Sequence, residues 1–263
     1  MTMQSTHPME KSIEPRSNGI ISQPKPKLPQ EIFPALASGD RLSRVEFERR
    51  YSARSDIKKA ELIEGVVYVS SPVRNKQHGL PHQRINTWLG LYCAATPGVL
   101  ATDNATLRLD TANEPQPDVM VWIDEAWGGQ LYSTEDDYLA GVPELIVEIA
   151  ASSAAYDLHD KMNAYQRNGV QEYLVLLPYE QQTRWYAWRA GEYHELTPDE
   201  QGILHSQVFP GLYFDSARFW SGDLAGLLAL LQQGISSPEH ADFVAQLAGK
   251  QLTNANPEKF EEK

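Results

Sequence analysis

The stretch of residues 144–177 constrains the fold more than any other part of the chain. Residues 144–150 (ELIVEIA) and 172–177 (EYLVLL) are short and almost continuously apolar. Runs of this length favour buried strands. Between them, residues 157–168 have a helical pattern that ends at Gly169, a residue type that commonly stops a helix. This strand–helix–strand unit predicts an α/β or α+β domain.

Patterns on either side of this unit predict the other elements. Ser43 followed by Glu46 is a capping box, which predicts a short helix to about Arg50. Apolar residues alternate on both sides of Glu64 and Gly65, so residues 61–70 form a predicted hairpin. The remaining predictions are a helix at 79–95, one or two strands at 99–109, a strand at 118–123, an antiparallel hairpin at 183–196, and one or two helices after residue 216.

The chain divides into one core and two ends. Residues 1–30 are rich in Pro, Ser, Gln and Lys and are predicted to form a disordered arm. The single domain is expected at 31–221, because no internal repeat and no second core is visible. Residues 222–263 form a predicted helical extension with a frayed tail. The apolar run at 224–231 is too short for a membrane span, which favours a packed amphipathic helix; it also raises the hypothesis of a homodimer.

Charge and cysteine content exclude several classes of protein. The 263 residues include 23 Lys+Arg and 35 Asp+Glu, a net charge of −12, which excludes a generally basic nucleic-acid coat protein. It does not exclude a nuclease whose metal or local basic cleft supplies positive charge. Cys93 is the only cysteine, so an intrachain disulfide and a thiolate zinc cluster are excluded, and a reducing cytoplasm is expected. No secretory signal, membrane segment, phosphate-binding glycine loop or dinucleotide motif is visible, so we expect neither a membrane location nor an organic cofactor.

Four side chains form a candidate constellation for metal chemistry. Asp118 enters an apolar strand directly after Pro117, and Glu148 is a charge flanked by apolar residues in its strand. A buried carboxylate needs a compensating partner such as a lysine or a divalent cation. Glu64 at the hairpin turn and Lys161 on the following helix complete a set that suits phosphodiester hydrolysis. The alternative is structural: a strand-start aspartate, a solvent-facing edge glutamate and a surface lysine.

Two histidines are further candidates for a functional role. His78 and His82 stand four residues apart at a predicted helix start, which suits a metal pair or a phosphate contact. Capping and surface packing are the alternative.

The order of these motifs resembles one known family. The motifs are Glu61-Leu-Ile-Glu64-Gly, Ser71-Pro72 with His82, Pro117-Asp118-Val, Glu144-Leu-Ile-Val-Glu148-Ile, and Lys161-x3-Tyr165-x3-Gly169-Val-x-Glu172-Tyr. Over residues 42–221 the chain is similar to the Uma-two family of restriction endonucleases, which have the PD-(D/E)xK nuclease fold. The resemblance implies a restriction-endonuclease-like core with a mixed central sheet flanked by helices.

The resemblance also implies roles for the candidate residues. Asp118 and Glu148 would bind Mg²⁺, or Mn²⁺ in its place, Glu64 would be a further ligand or water-positioning acid, and Lys161 would position the water. His82 and Glu61 would lie at the rim of the cleft. The substrate would be DNA, and a homodimer would suit double-strand cleavage.

One departure from the superfamily pattern favours a second reading. The lysine expected two residues after the second acid is Ala150 here, so Lys161 would take its place from the next helix. With the acidic net charge, this motivates the alternative of a catalytically degenerate module that binds nucleic acid or protein.

Overall fold

The fold is seen in a computed structural model that describes residues 35–70, 72, 74–151 and 156–255. The predicted N-terminal arm at 1–30 and the chain after residue 255 lie outside these ranges. The helices are α1 (Arg44–Ser52), α2 (Leu80–Ala95), α3 (Met162–Asn168), α4 (Ser216–Ser221), α5 (Leu224–Ile235) and α6 (Pro238–Ala255). The strands are β1 (Ala60–Ile63), β2 (Val66–Val69), β3 (Val99–Asp103), β4 (Leu107–Arg108), β5 (Val119–Ile123), β6 (Tyr132–Ser133), β7 (Leu139–Ala140), β8 (Leu145–Ile149), β9 (Glu172–Leu177), β10 (Gln182–Arg189), β11 (Glu192–Glu195), β12 (Ile203–His205) and β13 (Tyr213–Asp215).

A six-stranded sheet in the order β11-β10-β9-β8-β5-β3 is the centre of the described structure. The β8–β9 pair is parallel and the other neighbours are antiparallel. A π-helical turn at Asp157–Lys161 and then α3 connect the two parallel strands. The predicted α/β (α+β) fold with a mixed central sheet flanked by helices is therefore confirmed.

Alternation along β5 and β8 divides the core into two layers. Val119 and Val147 belong to the cluster that includes α2 and the C-terminal helices. Met120 and Ile146 belong to the cluster on the opposite face, together with Tyr165 of α3. Since side chains alternate along a strand, each layer is set by the strand register.

The same register brings the two candidate acids together. In the antiparallel β5–β8 pair, Val119 is opposite Val147 and Met120 is opposite Ile146. One step beyond the end of β5, Asp118 is therefore opposite Glu148, on the face of the sheet that α3 covers.

The β1–β2 hairpin confirms the reading of Glu64-Gly65 as its turn. Both residues have positive φ, 53° and 71°, as a two-residue turn of the mirror-image type requires. Glu61 is opposite Tyr68 in this hairpin. Leu62 bridges to Glu114, which joins the hairpin to the segment that leads into β5.

The C-terminal helices pack on the main core. Leu227 and Leu231 of α5 and Leu247 of α6 are at most 1% exposed and share a cluster with Trp88 of α2. The apolar face that raised the homodimer hypothesis is thus largely buried within this chain. Within the described residues, no helix combines the length and the apolar character needed to cross a bilayer.

Candidate active site

A buried ion cluster forms where the hairpin, the β5–β8 pair and the helix after β8 meet. Glu148 is 3% exposed, Lys161 2%, and Asp118 and Glu61 4% each. Lys161 comes from the π-helical turn that begins the helix covering this face of the sheet. Its buried position places a cation beside carboxylates that would otherwise be costly to desolvate.

Lys161 is at the centre of this cluster. Its Nζ is 2.9 Å from Oε1 of Glu148 and 2.9 Å from Oε1 of Glu61, and 3.6 Å from Oδ1 of Asp157. The Tyr165 hydroxyl, one helical turn on, donates to the same Oε1 of Glu148 at 3.0 Å. The structure thus brings Lys161 to Glu148, which the sequence alone could not establish.

Glu61 connects the lysine to the strand that carries the aspartate. Its Oε1 accepts a hydrogen bond from the backbone N–H of Gln116 at 2.8 Å as well as the bond from Lys161. Gln116 is two residues before Asp118. Predicted at the cleft rim, Glu61 is instead part of the buried cluster.

Asp118 is fixed by contacts at both carboxylate oxygens. The Ile149 N–H donates to Oδ2 at 2.8 Å. His78 Nε2 is 3.1 Å from Oδ1, and Lys59 Nζ is 3.7 Å from the same atom. Burial alone would raise the pKa of Asp118, but the hydrogen bond with His78, the charge of Lys59 and the Ile149 N–H hold it below its usual value.

Burial and the neighbouring charges shift the pKa values of both Glu148 and Lys161. Burial raises the pKa of Glu148, and the negative charges of Asp118, Asp157 and Glu61 add to this effect, while Lys161 opposes it. Burial would lower the pKa of Lys161, but the surrounding carboxylates hold it well above its ordinary value. The surrounding carboxyl groups thus favour the ammonium form of Lys161.

A cavity of about 580 Å³ opens onto these groups. Acids and cations line it together, with tyrosines on its walls. The lining residues are Lys59, Glu61, Tyr68, Val69, Ser70, Pro72, Arg74, His78, Asn104, Asp118, Glu148, Ile149, Ala151, Tyr156, Asp157, Lys161 and Tyr179.

The structure does not bring Glu64 to this cavity. Its two carboxylate oxygens lie 2.7 and 3.0 Å from the guanidinium nitrogens of Arg167, in an exposed ion pair. The reason is geometric: Glu64 occupies the turn itself, whereas Glu61 lies on β1 opposite Tyr68, which lines the cavity. Of the two glutamates in the ELIEG motif, the structure thus brings the first to the site.

The two histidines also differ from each other. His82 Nε2 is 3.0 Å from the backbone oxygen of Asp118 and is outside the cavity lining. His78, one helical turn earlier, contacts the Asp118 carboxylate and lines the cavity. Ala150 is fully buried, and its N–H donates to the Leu176 oxygen.

Sequence reasoning missed several charged or aromatic groups at the site, including Tyr68 and Asp157. Lys59, Tyr156 and Tyr179 line the cavity from segments before β1, before the helix and after β9. The only available signal was proximity in sequence to motif residues, which is too weak to select them.

Asp118 and Glu148 are the residues that would hold a hard divalent cation. Asp118 and Glu148 are adjacent carboxylates, and Mg²⁺ is commonly bound by one or two carboxylates together with water and substrate phosphate oxygens. Within the described ranges, no group of three or more His, Cys, Asp or Glu side chains is arranged to hold a metal ion. The feature of this structure that bears on cation binding is the number of acids: the carboxyl groups of Glu148, Glu61 and Asp157 all contact the one ammonium of Lys161.

Comparison with models of known protein families identifies the family of this chain. The model of the Uma2 family, described as "Putative restriction endonuclease", matches residues 44–217. The chain therefore belongs to the Uma2 family. A search of curated proteins found no match.

One solved structure is similar in fold at low sequence identity. It is described as a "putative nuclease belonging to DUF820" from Anabaena variabilis. Its identity to this chain is 15%, the match covers 70% of this chain and 97% of that one, and the TM-score is 0.46.

Proposed function

We propose that this protein is a metal-dependent endonuclease that hydrolyses phosphodiester bonds in DNA. The observation that carries the proposal is Lys161, a buried ammonium held at 2.9 Å by both Glu148 and Glu61 in the cavity that also contains Asp118. Membership of the Uma2 family supports it. Two acids and a lysine in one cleft suit charge stabilisation during phosphodiester hydrolysis.

In this proposal Asp118 and Glu148 hold Mg²⁺, with Mn²⁺ as a substitute. An ion held there would supply Lewis acidity toward a phosphate oxygen and would make water a better nucleophile. Glu61 holds Lys161 in position, and its bond to the Gln116 N–H fixes that position relative to the strand of Asp118.

The cations of the cavity act on the substrate. Lys161 orients the attacking water or offsets charge that develops on the phosphate. Lys59 and Arg74 attract the phosphodiester chain to a protein whose net charge of −12 otherwise repels it. Their positive charge is local, which is what an acidic nuclease requires.

The test is cleavage of supercoiled plasmid DNA with Mg²⁺ or Mn²⁺ by Asp118→Asn and Glu148→Gln variants. Each change replaces a carboxyl oxygen with an amide nitrogen at nearly the same side-chain volume, and we expect each to abolish cleavage. Glu195→Gln is the matched control, because Glu195 is exposed on β11 at the far edge of the sheet. Cleavage that persists in both site variants at the wild-type rate would contradict the proposal.

The second candidate is a non-catalytic module of the same fold. It is favoured by Ala150 in place of the superfamily lysine and by the direct contact of Lys161 with Glu148, in which the lysine takes the place beside the carboxylate that a metal ion would otherwise have. Calorimetry separates the two functions. Mn²⁺ binding that is lost in Asp118→Asn supports the nuclease, whereas a wild-type protein that binds no Mn²⁺ supports the module.

A further inference from the structure

The acids of the candidate active site are recessed. Asp118 and Glu148 are 4% and 3% exposed and are reached through the cavity of about 580 Å³. This volume is within the range of small-molecule pockets, roughly 300–1,000 Å³. A scissile phosphate must enter that space to meet the two carboxylates.

Three tyrosines are among the residues that line this space. The rings of Tyr68 and Tyr156 are 4.0 Å apart between centroids, and both residues line the cavity. Tyr179, in the turn after β9, also lines it and is 54% exposed. An exposed tyrosine beside a cavity is a surface on which a nucleobase stacks, and such stacking does not depend on base identity.

A cation accompanies the exposed tyrosine. Nη1 of Arg74 is 3.5 Å from the hydroxyl of Tyr179, so the segment after β2 and the turn after β9 meet beside the cavity. Lys59 and His78 line the cavity nearer to Asp118. Stacking surfaces combined with a cationic path are typical of sites for single-stranded nucleic acid.

From these observations we propose that the cavity takes an unpaired strand of DNA, with Tyr179 and Arg74 holding a base and phosphate next to the one that is cut. The inference rests on the proposed function, since it names the substrate class of the same site. A base that is paired within a duplex cannot stack on Tyr179 while the neighbouring phosphate reaches the recessed acids. Duplex DNA would enter only where it is frayed, mismatched or flapped.

The test measures binding separately from cleavage. A short fluorescein-labelled oligothymidylate and the same strand annealed to oligoadenylate are titrated with the full chain in EDTA, and fluorescence anisotropy is recorded. We expect the single strand to bind more tightly than the duplex. Tyr179→Ala should weaken single-strand binding by about 5-fold or more, the loss of one stacked base.

Tyr132→Ala is the matched control. Tyr132 is 48% exposed, similar to Tyr179, but is on β6 and does not line the cavity. We expect this change to leave single-strand binding at the wild-type value.

Two results would overturn the inference. One is a duplex that binds as tightly as the single strand, and the other is an equal effect of Tyr179→Ala and Tyr132→Ala. Cleavage of both DNA forms is then measured with Mn²⁺. Cleavage of the intact duplex alone contradicts the inference and supports the nuclease, whereas Tyr179-dependent strand binding without any cleavage contradicts the nuclease and supports the inference.

Discussion

Two glutamates three residues apart, Glu61 and Glu64, have very different environments in this structure. Glu61 is buried in contact with Lys161 and the Gln116 N–H, whereas Glu64 is exposed in a pair with Arg167. Side chains along a strand point alternately to the two faces of the sheet, whereas a residue in the turn lies on neither face. The sequence motif contains both glutamates, but only the three-dimensional structure shows which of them lies at the candidate active site.

We therefore expect Glu61→Gln and Glu64→Gln to differ in activity. Glu61→Gln removes the negative charge that holds Lys161 and should lower the rate of DNA cleavage by about 10- to 100-fold, as loss of a supporting residue usually does. Glu64→Gln should leave the rate unchanged. Initial rates on plasmid DNA decide this, and a loss in the Glu64 variant of the same size would return Glu64 to the active site.

Lys161 also has a structural role that can be measured without substrate. Lys161→Met leaves Glu148, Glu61 and Asp157 without their central cation, and breaking a buried ion network in this way costs about 3–5 kcal/mol. We expect that decrease in the free energy of unfolding from urea titration at pH 7. Lys58 is an exposed lysine and serves as the comparison; Lys58→Met should change the free energy of unfolding by less than about 0.5 kcal/mol. Similar values for the two variants would show that the network is not structural.

At the scale of elements, Glu172 ties β9 to the segment after β12. It is fully buried and accepts hydrogen bonds from the Ser206 hydroxyl at 2.7 Å and from the Gln207 N–H at 2.6 Å. Burial raises the pKa of Glu172 from 4.5 to about 7, although the bonds from Gln207, Ser206 and Val208 oppose the shift. The first residue of a central strand thus holds its proton more tightly in the folded protein than in the unfolded chain.

This shift predicts a loss of stability as the pH rises. A folded-state pKa above the unfolded value gives stability that is complete below pH 4.5 and is lost as the pH rises through about 7. The loss is up to about 3 kcal/mol. Glu172→Gln, which cannot ionise, should show a smaller decrease between pH 4.5 and 7.5 than the wild type in urea titrations. If the unfolding free energies of the two proteins decreased equally with pH, ionisation of Glu172 would not be the cause of the loss.

A pair of glycines fixes α5 against the loop before β13. A Cβ on Gly234 would be 2.0 Å from the Gly211 oxygen, and a Cβ on Gly211 would be 2.5 Å from the Gly234 oxygen. The two backbones therefore approach more closely than any other residue allows.

Two alanine substitutions in the C-terminal helices should therefore change the free energy of unfolding in opposite directions. Gly234→Ala forces α5 away from the loop and should lower the unfolding free energy by about 1–3 kcal/mol. Gly249→Ala, in α6 with nothing within 4 Å of the added Cβ, should raise it by about 0.5–1 kcal/mol. Thermal unfolding of the two variants gives the signs directly, and a destabilised Gly249→Ala would contradict the argument.

Over the whole molecule, the sequence predicted elements better than it predicted contacts. The hairpin turn, the helix stop at Gly169 and the strands of the central sheet depend on local preferences, so patterns in the sequence sufficed. The proximity of Asp118 and Glu148 depends on the register of β5 and β8, which local patterns do not fix. Lys59, Tyr156 and Tyr179 reach the cavity through tertiary packing alone.

The C-terminal helices show the same limit. Their amphipathic pattern predicted helices, and α5 and α6 are present. The pattern could not tell whether the apolar face meets a second copy or the chain's own core; Leu227 and Leu231 are buried in the core. A homodimer stays a prediction, which light scattering of the full chain tests.

Asp118 and Glu148 are opposite each other across β5 and β8, and this limits where insertions and deletions can occur in related sequences. Residues added in the excursion between β5 and β8, which contains β6 and β7, leave the opposition intact, because they do not enter either strand. A single residue inserted within β5 or β8 turns one acid to the other face of the sheet. Insertions and deletions among relatives should therefore accumulate in the excursion and be absent from these two strands.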